Sequence, residues 1–110
     1  MFVVPVGKGQ EVIGTVTLAA RDRGVTDAAI VSLIGAVATC RVSVMPADDP
    51  LADIVTDYAQ PFELSGTGEI RDGTVHIHCV LGGPDGTVAG HLHRATVEHW
   101  FVNAYVQPLG

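Results

Sequence analysis

The chain has 110 residues, of which 47% are hydrophobic and 16% are charged, and its formal net charge is −6 at pH 7. This composition predicts one packed domain over residues 1–110 and excludes a disordered chain. The six basic residues lie singly along the sequence, whereas nucleic-acid binders neutralise phosphates with clustered Lys and Arg. Direct DNA binding is therefore not expected. The low charge also suggests that another subunit covers part of the apolar surface.

Two features predict the compartment. No segment approaches the roughly 18 consecutive apolar residues of a membrane-spanning helix, and residues 1–10 lack the basic start and apolar run of a secretory signal. The two cysteines, Cys40 and Cys79, are isolated and match no metal-binding or redox spacing. We therefore expect a cytoplasmic protein with two reduced, buried thiols and no membrane segment.

The first predicted elements are a strand and a helix. Residues 2–6 are apolar and interrupted by Pro5, which is typical of an edge or first strand. Apolar residues then recur at helical spacing, and Gly24 stands where a helix C-cap is expected. These signals predict a helix over residues 10–23.

The remaining sequence has the patterns of strands. An apolar run predicts a strand at residues 28–34, Gly35 interrupts it, and alternation resumes over residues 36–45. Residues 51–58 fit either a strand or a helical turn. Four further strands are predicted at residues 62–70, 74–81, 87–94 and 96–106. The predicted fold class is α+β, with one mostly antiparallel sheet or partial barrel and about one helix packed on it.

Four of the five histidines lie in one short stretch, HIHCVLGGPDGTVAGHLH, which spans residues 76–93. They form two His-x-His pairs, His76 with His78 and His91 with His93, on either side of a Gly-Gly-Pro-Asp-Gly turn. Alternate side chains of a strand share a face, so each pair points to one side of the sheet. Cys79 points away from His78 and is not expected to be a ligand.

The register of this hairpin decides whether the two pairs meet. If the chain reverses symmetrically between Pro84 and Asp85, then His78 faces His91 and His76 faces His93. A type I turn with a glycine bulge is equally compatible with the sequence and shifts the pairing by one residue. That shift sends His91 and His93 to the opposite face, unless a bulge near Gly90 restores them.

Two imidazoles from one strand and a third from its neighbour form a familiar site for a divalent metal. Zinc accepts nitrogen ligands at about 2.0–2.1 Å, and a three-histidine site keeps a fourth position for water or substrate. The alternative is a partly solvated sheet face at a subunit interface, where the histidines hydrogen-bond across strands without metal.

Several motifs resemble those of the PPC family, a domain conserved in plants and prokaryotes that also carries a DNA-binding label. The resemblance covers nearly the whole chain and its order of elements. The segments that carry it are Ser32-Leu33-Ile34-Gly35-Ala36-Val37, Pro61-Phe62-Glu63-Leu64, Ser65 to Gly68, His76-Ile77-His78-Cys79-Val80-Leu81-Gly82 and Gly90-His91-Leu92.

The resemblance implies an α+β fold that assembles as a homotrimer and is similar to that of acetolactate decarboxylases. It further implies a zinc ion held by His76, His78 and His91. His93 stands where the family has an apolar residue, so it is a neighbour or a fourth ligand. Ala95 replaces a common glycine, and the Phe-Glu-Leu segment is one residue short; these departures concern local geometry.

Three other residues are weaker candidates for a functional role. Glu63 is a candidate general base or hydrogen-bond partner of a ligand histidine, and otherwise a surface or interface glutamate. Arg94 should point to the face opposite His93 and is a candidate for anion binding. His99 is expected on a separate strand with a structural role.

Three classes of function follow. The first is a trimeric zinc domain that binds or acts on a small molecule; a lyase or hydrolase activity would rest on fold analogy alone. The second is the DNA-binding or regulatory module of the family label, although the chain lacks the Arg-Gly-Arg-Pro AT-hook that accompanies the domain in plants. The third is a metal-free trimeric scaffold.

Overall fold

The computed structural model describes residues 1–110, which form one helix and eight strands. The elements are β1 (Phe2–Val6), α1 (Val12–Asp22), β2 (Ala28–Val37), β3 (Thr39–Val44), β4 (Ile54–Tyr58), β5 (Phe62–Arg71), β6 (Thr74–Gly83), β7 (Gly86–Thr96) and β8 (Val102–Pro108). The predicted α+β class is confirmed. No helix has the length and apolar character needed to cross a bilayer.

All eight strands belong to one antiparallel sheet, in the order β1-β8-β2-β5-β6-β7-β3-β4. The sheet does not close, so β1 and β4 are its edges. Helix α1 packs against β1, β6 and β7 on one side of the sheet. We call that side the inner face and the opposite side the outer face.

Alternation along the strands separates the two faces. In β6, Ile77, Cys79 and Leu81 are buried in the core, whereas His76, His78 and Val80 are exposed on the outer face. One cluster of 23 buried residues, mainly Val, Leu, Ile and Ala, forms the core between sheet and helix. Both cysteines are free and buried, as predicted.

Helix α1 starts and ends close to the predicted residues because both ends are capped locally. The Glu11 carboxylate accepts hydrogen bonds from the backbone N–H groups of Ile13 and Gly14, at 2.9 and 2.8 Å. It also accepts one from the Ala95 N–H at 3.0 Å, which ties the helix to the end of β7. Gly24 follows the helix with φ of 67°, a conformation that favours glycine.

Two predicted boundaries are wrong. Gly35 does not interrupt β2, which continues to Val37; a Cβ on residue 35 would overlap the Phe101 carbonyl oxygen, so glycine is required by close packing. The last strand begins at Val102 rather than at residue 96. Residues 97–101 form a loop, in which Val97 exchanges backbone hydrogen bonds with Gly9 and Gln10. The ambiguous segment at residues 51–58 contains edge strand β4.

Two glycines in β5 allow that strand to approach β6 closely. An added Cβ at Gly66 would lie 2.5 Å from the His78 carbonyl oxygen, and one at Gly68 would overlap the His76 carbonyl oxygen. Both contacts are with backbone, which cannot move aside as a side chain can. The positions of His76 and His78 therefore depend on the absence of side chains at these two positions.

We expect Gly68→Ala to lower the free energy of unfolding by about 1–3 kcal/mol, because the methyl group overpacks the β5–β6 interface. Urea unfolding followed by circular dichroism measures this change. The matched control is Gly14→Ala in α1, where the added Cβ meets only the Glu11 side chain at 3.4 Å. The control should be neutral or stabilising by up to about 1 kcal/mol. Equal stability of Gly68→Ala and wild type would contradict the packing argument.

Candidate metal centre

The β6–β7 hairpin adopts the symmetric register of the two that the sequence allows. Gly83 faces Gly86 around Pro84 and Asp85, and His78 faces His91. Since directly opposed residues of an antiparallel pair point to the same side, His91 lies on the outer face with His78. The row continues on both sides, because Thr67 of β5 faces His78 and Ser43 of β3 faces His91.

The β6–β7 ladder ends at His78 and His91, so the predicted pairing of His76 with His93 does not form. The cause is a register shift between β3 and β7: Val42 faces Leu92, Arg41 faces Arg94, and His93 is the extra residue of the bulge. His93 bonds instead to Ser43, with 2.7 Å between Nε2 and Oγ.

The same bulge corrects the prediction for Arg94. A regular strand would turn Arg94 to the inner face, but pairing with Arg41 leaves it exposed on the outer face. Arg41 is held by Asp57 at 2.8 Å on the neighbouring edge strand. The extra residue thus places His93 and Arg94 on one side of the sheet.

His76, His78 and His91 form a compact cluster, hereafter the histidine cluster. Each offers a ring nitrogen, and the three nitrogens lie within 4.8 Å of one another. His76 Nε2 and His91 Nδ1 are 3.0 Å apart, within hydrogen-bond distance. His76 and His78 are exposed, whereas His91 is partly buried.

The geometry of this cluster fits a tetrahedral metal ion. Nitrogens bound to zinc at about 2.0–2.1 Å lie roughly 3.3 Å from one another in a tetrahedral site. The observed 3.0 Å between His76 and His91 is close to that value, and the 4.8 Å limit on the whole set means that no pair needs to approach by more than about 1.5 Å. Imidazole nitrogens are also the donors that suit zinc and other borderline divalent metals.

A carboxylate that sequence reasoning missed lies beside the cluster. Glu69 faces His76 across the β5–β6 hairpin, and its Oε2 is 4.0 Å from His76 Nδ1. The sequence of the turn between β5 and β6 could have predicted that Glu69 faces His76. Asp72 and Gly73 both have positive φ, as in the two-residue turn favoured by Asp-Gly, so Arg71 faces Thr74 and Glu69 must face His76.

Glu63 and His99 lie away from the cluster. Glu63 faces Gly82, four residues beyond His78 along β6, which corresponds to about 13 Å. It lines a separate cavity together with His99 and Trp100. His99 is exposed in the loop at residues 97–101 rather than on a strand, so its predicted setting is wrong. The structure therefore does not bring Glu63 beside the histidine cluster.

A cavity of about 450 Å³ opens directly beside the histidine cluster. We call it the side cavity. Its lining combines two histidines of the cluster with apolar and polar groups from β3, β7 and the loop before β4. These residues are Ser43, Val44, Met45, Pro50, Asp53, His78, Gly90, His91 and His93.

The electrostatic setting keeps His91 neutral. Burial lowers the pKa of His91 below its usual 6.5, and the neighbouring His93, His76 and His78 lower it further, against an opposing effect of Asp53. The unfolded chain therefore binds this proton more tightly than the folded protein. As the pH falls through 6.5, the contribution of His91 to the free energy of unfolding decreases.

We expect His91 of the metal-free protein to titrate below pH 6.5, as measured by nuclear magnetic resonance of its ring protons. His93→Gln removes a neighbouring titratable ring that lowers the pKa of His91, and should therefore raise that pKa. The pKa should nevertheless stay below 6.5, because burial is the larger cause. A midpoint at or above 6.5 in the wild-type protein would contradict the burial of this ring.

Solved structures share this fold. A plant- and prokaryote-conserved protein of Pyrococcus horikoshii is 20% identical, with a TM-score of 0.81 over 99% of this chain and 78% of that one. A metal-containing protein of Archaeoglobus fulgidus is 25% identical, with a TM-score of 0.79 over 99% of this chain and 79% of that one.

The likeness to acetolactate decarboxylase is confirmed at the level of fold. A Staphylococcus aureus protein of unknown function, described as similar to alpha-acetolactate decarboxylase, is 15% identical, with a TM-score of 0.67. The alignment covers 98% of this chain and 52% of that one. Comparison with curated proteins gave no match. The model of the Plants and Prokaryotes Conserved domain matches residues 1–109, and the chain therefore belongs to that family.

Proposed function

We propose that the protein binds one zinc ion per subunit through His76, His78 and His91, and that the ion holds a small molecule. The observation that carries the proposal is the convergence of three imidazole nitrogens within 4.8 Å on two paired strands. The metal-containing neighbour from Archaeoglobus fulgidus supports it. A bound zinc ion supplies an open coordination position that polarises water, a carbonyl or an anion.

Properties of neighbouring residues would support metal binding by the histidine cluster. Glu69 Oε2 lies 4.0 Å from His76 Nδ1, and a small side-chain rotation would bring it within hydrogen-bond distance, where it would orient the ring and fix its tautomer. The lowered pKa of His91 keeps its nitrogen lone pair available at neutral pH. Fold likeness to a decarboxylase-like protein identifies no reaction, so the proposal is ligand binding at a metal rather than a named catalytic step.

Direct DNA binding is not part of this proposal. Acidic residues outnumber basic ones by twelve to six, so the chain would repel a phosphate backbone. Two of the six basic residues are also neutralised: Arg41 pairs with Asp57, and Arg71 pairs with Asp27. Two free, buried cysteines agree with the cytoplasmic location that we propose.

We expect the wild-type protein to contain about one zinc ion per chain, as measured by elemental analysis of tag-free protein. His78→Ala and His91→Ala should each lose most of the metal, because two histidines hold zinc weakly. The matched control is His99→Ala, which removes an exposed histidine outside the cluster and should retain the metal. A wild-type protein that remains metal-free after incubation with zinc would overturn the proposal and favour the metal-free scaffold.

We also propose that the chain assembles as a homotrimer through the outer face. The single chain exposes 6339 Å², whereas a monomer of its 11.5 kDa mass exposes about 5,800 Å². Beside the transverse row that contains His78 and His91, the outer face carries a second row of small and apolar residues. That row consists of Ile34, Ser65, Val80 and Ala89, which face one another across four strands. Ile34 and Val80 are 55% and 48% exposed.

We expect sedimentation equilibrium to give three times the mass of one chain. Val80→Glu places a charge in the apolar row and should shift the protein to monomers while leaving the circular dichroism spectrum unchanged. The matched control is Leu18→Glu on α1, which is 55% exposed away from the outer face and should remain trimeric. A monomeric wild-type protein, or a Val80→Glu variant with unchanged mass, would contradict this assignment.

A further inference from the structure

Two residues of the histidine cluster, His78 and His91, also line the side cavity. A molecule bound to the metal from this side would therefore extend into the cavity. Resting on the proposed metal site, we infer that the side cavity selects a short-chain aliphatic monocarboxylate as the ligand of the metal.

The apolar part of the cavity lining would contact an aliphatic chain on the ligand. Val44 and Met45 at the end of β3 and Pro50 in the following loop line the cavity together with the histidines. Val44 and Met45 are 46% and 63% exposed in the free chain. A ligand with a few methylene groups would cover this surface and remove it from water, whereas acetate is too short to do so.

The polar part of the cavity lining would recognise a carboxylate on the ligand. The His93 ring lies 4.6 Å from the His91 ring, centroid to centroid, and its Nε2 is bonded to the nearly buried Ser43 hydroxyl at 2.7 Å. The second ring nitrogen of His93 has no hydrogen-bond partner. A carboxylate that places one oxygen on the metal can therefore receive a hydrogen bond from His93 on the other.

The charge of the cavity limits the ligand to one negative group. Asp53 lines the cavity, and none of the Lys or Arg residues does. Asp53 also lies outside every ion pair in the structure. A dicarboxylate would bring its second charge against Asp53 without a compensating cation. The volume of about 450 Å³ is at the low end for small-molecule sites and suits a short chain.

The test uses the protein loaded with cobalt(II), whose visible spectrum reports changes in coordination. Acetate, butyrate and succinate are titrated separately. Butyrate should bind about tenfold more tightly than acetate, because two more methylene groups are buried. Succinate, which has the same number of carbons as butyrate, should bind at least about tenfold more weakly than butyrate because of Asp53.

Two variants test which residues of the cavity lining cause the selectivity among carboxylates. Met45→Gln should reduce the preference for butyrate over acetate at least about threefold while leaving acetate affinity unchanged. Asp53→Asn should strengthen succinate binding by a larger factor than butyrate binding, because succinate carries the second negative charge. The matched control is Leu51→Gln, in the same loop, where the side chain is 97% exposed and outside the cavity lining; all three affinities should match the wild type.

The outcomes separate the two proposals. Failure to bind cobalt would overturn both the metal site and this inference. Cobalt binding with equal affinities for acetate and butyrate, or with no carboxylate binding, would overturn the inference and leave the metal site standing. The same holds if butyrate is preferred but Met45→Gln does not change the preference, because the apolar part of the lining would then lie elsewhere.

Discussion

The histidine cluster depends on the backbone register of neighbouring strands. Antiparallel pairing places residues of four strands in one transverse row on the outer face, and two of the three clustered histidines belong to it. The row consists of Thr67, His78, His91 and Ser43. A slip of one residue between β6 and β7 would turn His91 into the core and separate it from His78. The close approach of β5, which the glycines of that strand permit, holds β6 in its position.

The bulge in β7 then distinguishes the two members of the second histidine pair. Without the extra residue, His93 would continue the alternation and face His76 across the ladder. With it, His91 joins the cluster and His93 bonds to Ser43 at the wall of the side cavity. One irregularity in one strand therefore turns four similar side chains into three candidate ligands and one candidate recognition group. Bulges often re-aim side chains in this way beside functional sites.

Local patterns in the sequence were sufficient for much of this arrangement. The helix was predicted within two residues because apolar residues recur along it at helical spacing and Gly24 marks its C-terminal end. The hairpins were predicted because two-residue turns of glycine, proline and aspartate restrict the backbone strongly. The pairs of histidines on one face followed from the period of two along a strand. The sequence left two registers open for the β6–β7 hairpin, because the Pro-Asp turn is compatible with both.

The tertiary structure decided whatever depends on strands distant along the chain. Ser43 meets His93 only because β3 pairs with β7, and the bulge lies in the pairing of these two strands, which are distant along the chain. Val97, Trp100 and Phe101 favour a strand over residues 97–101, yet the backbone of Val97 bonds with Gly9 and Gln10, which are distant along the chain. By itself, the sequence determined the residue types, the local turns and the common face that His76 and His78 share on one strand. Only long-range pairing decided which histidines meet, because that choice is a competition between registers of the whole sheet.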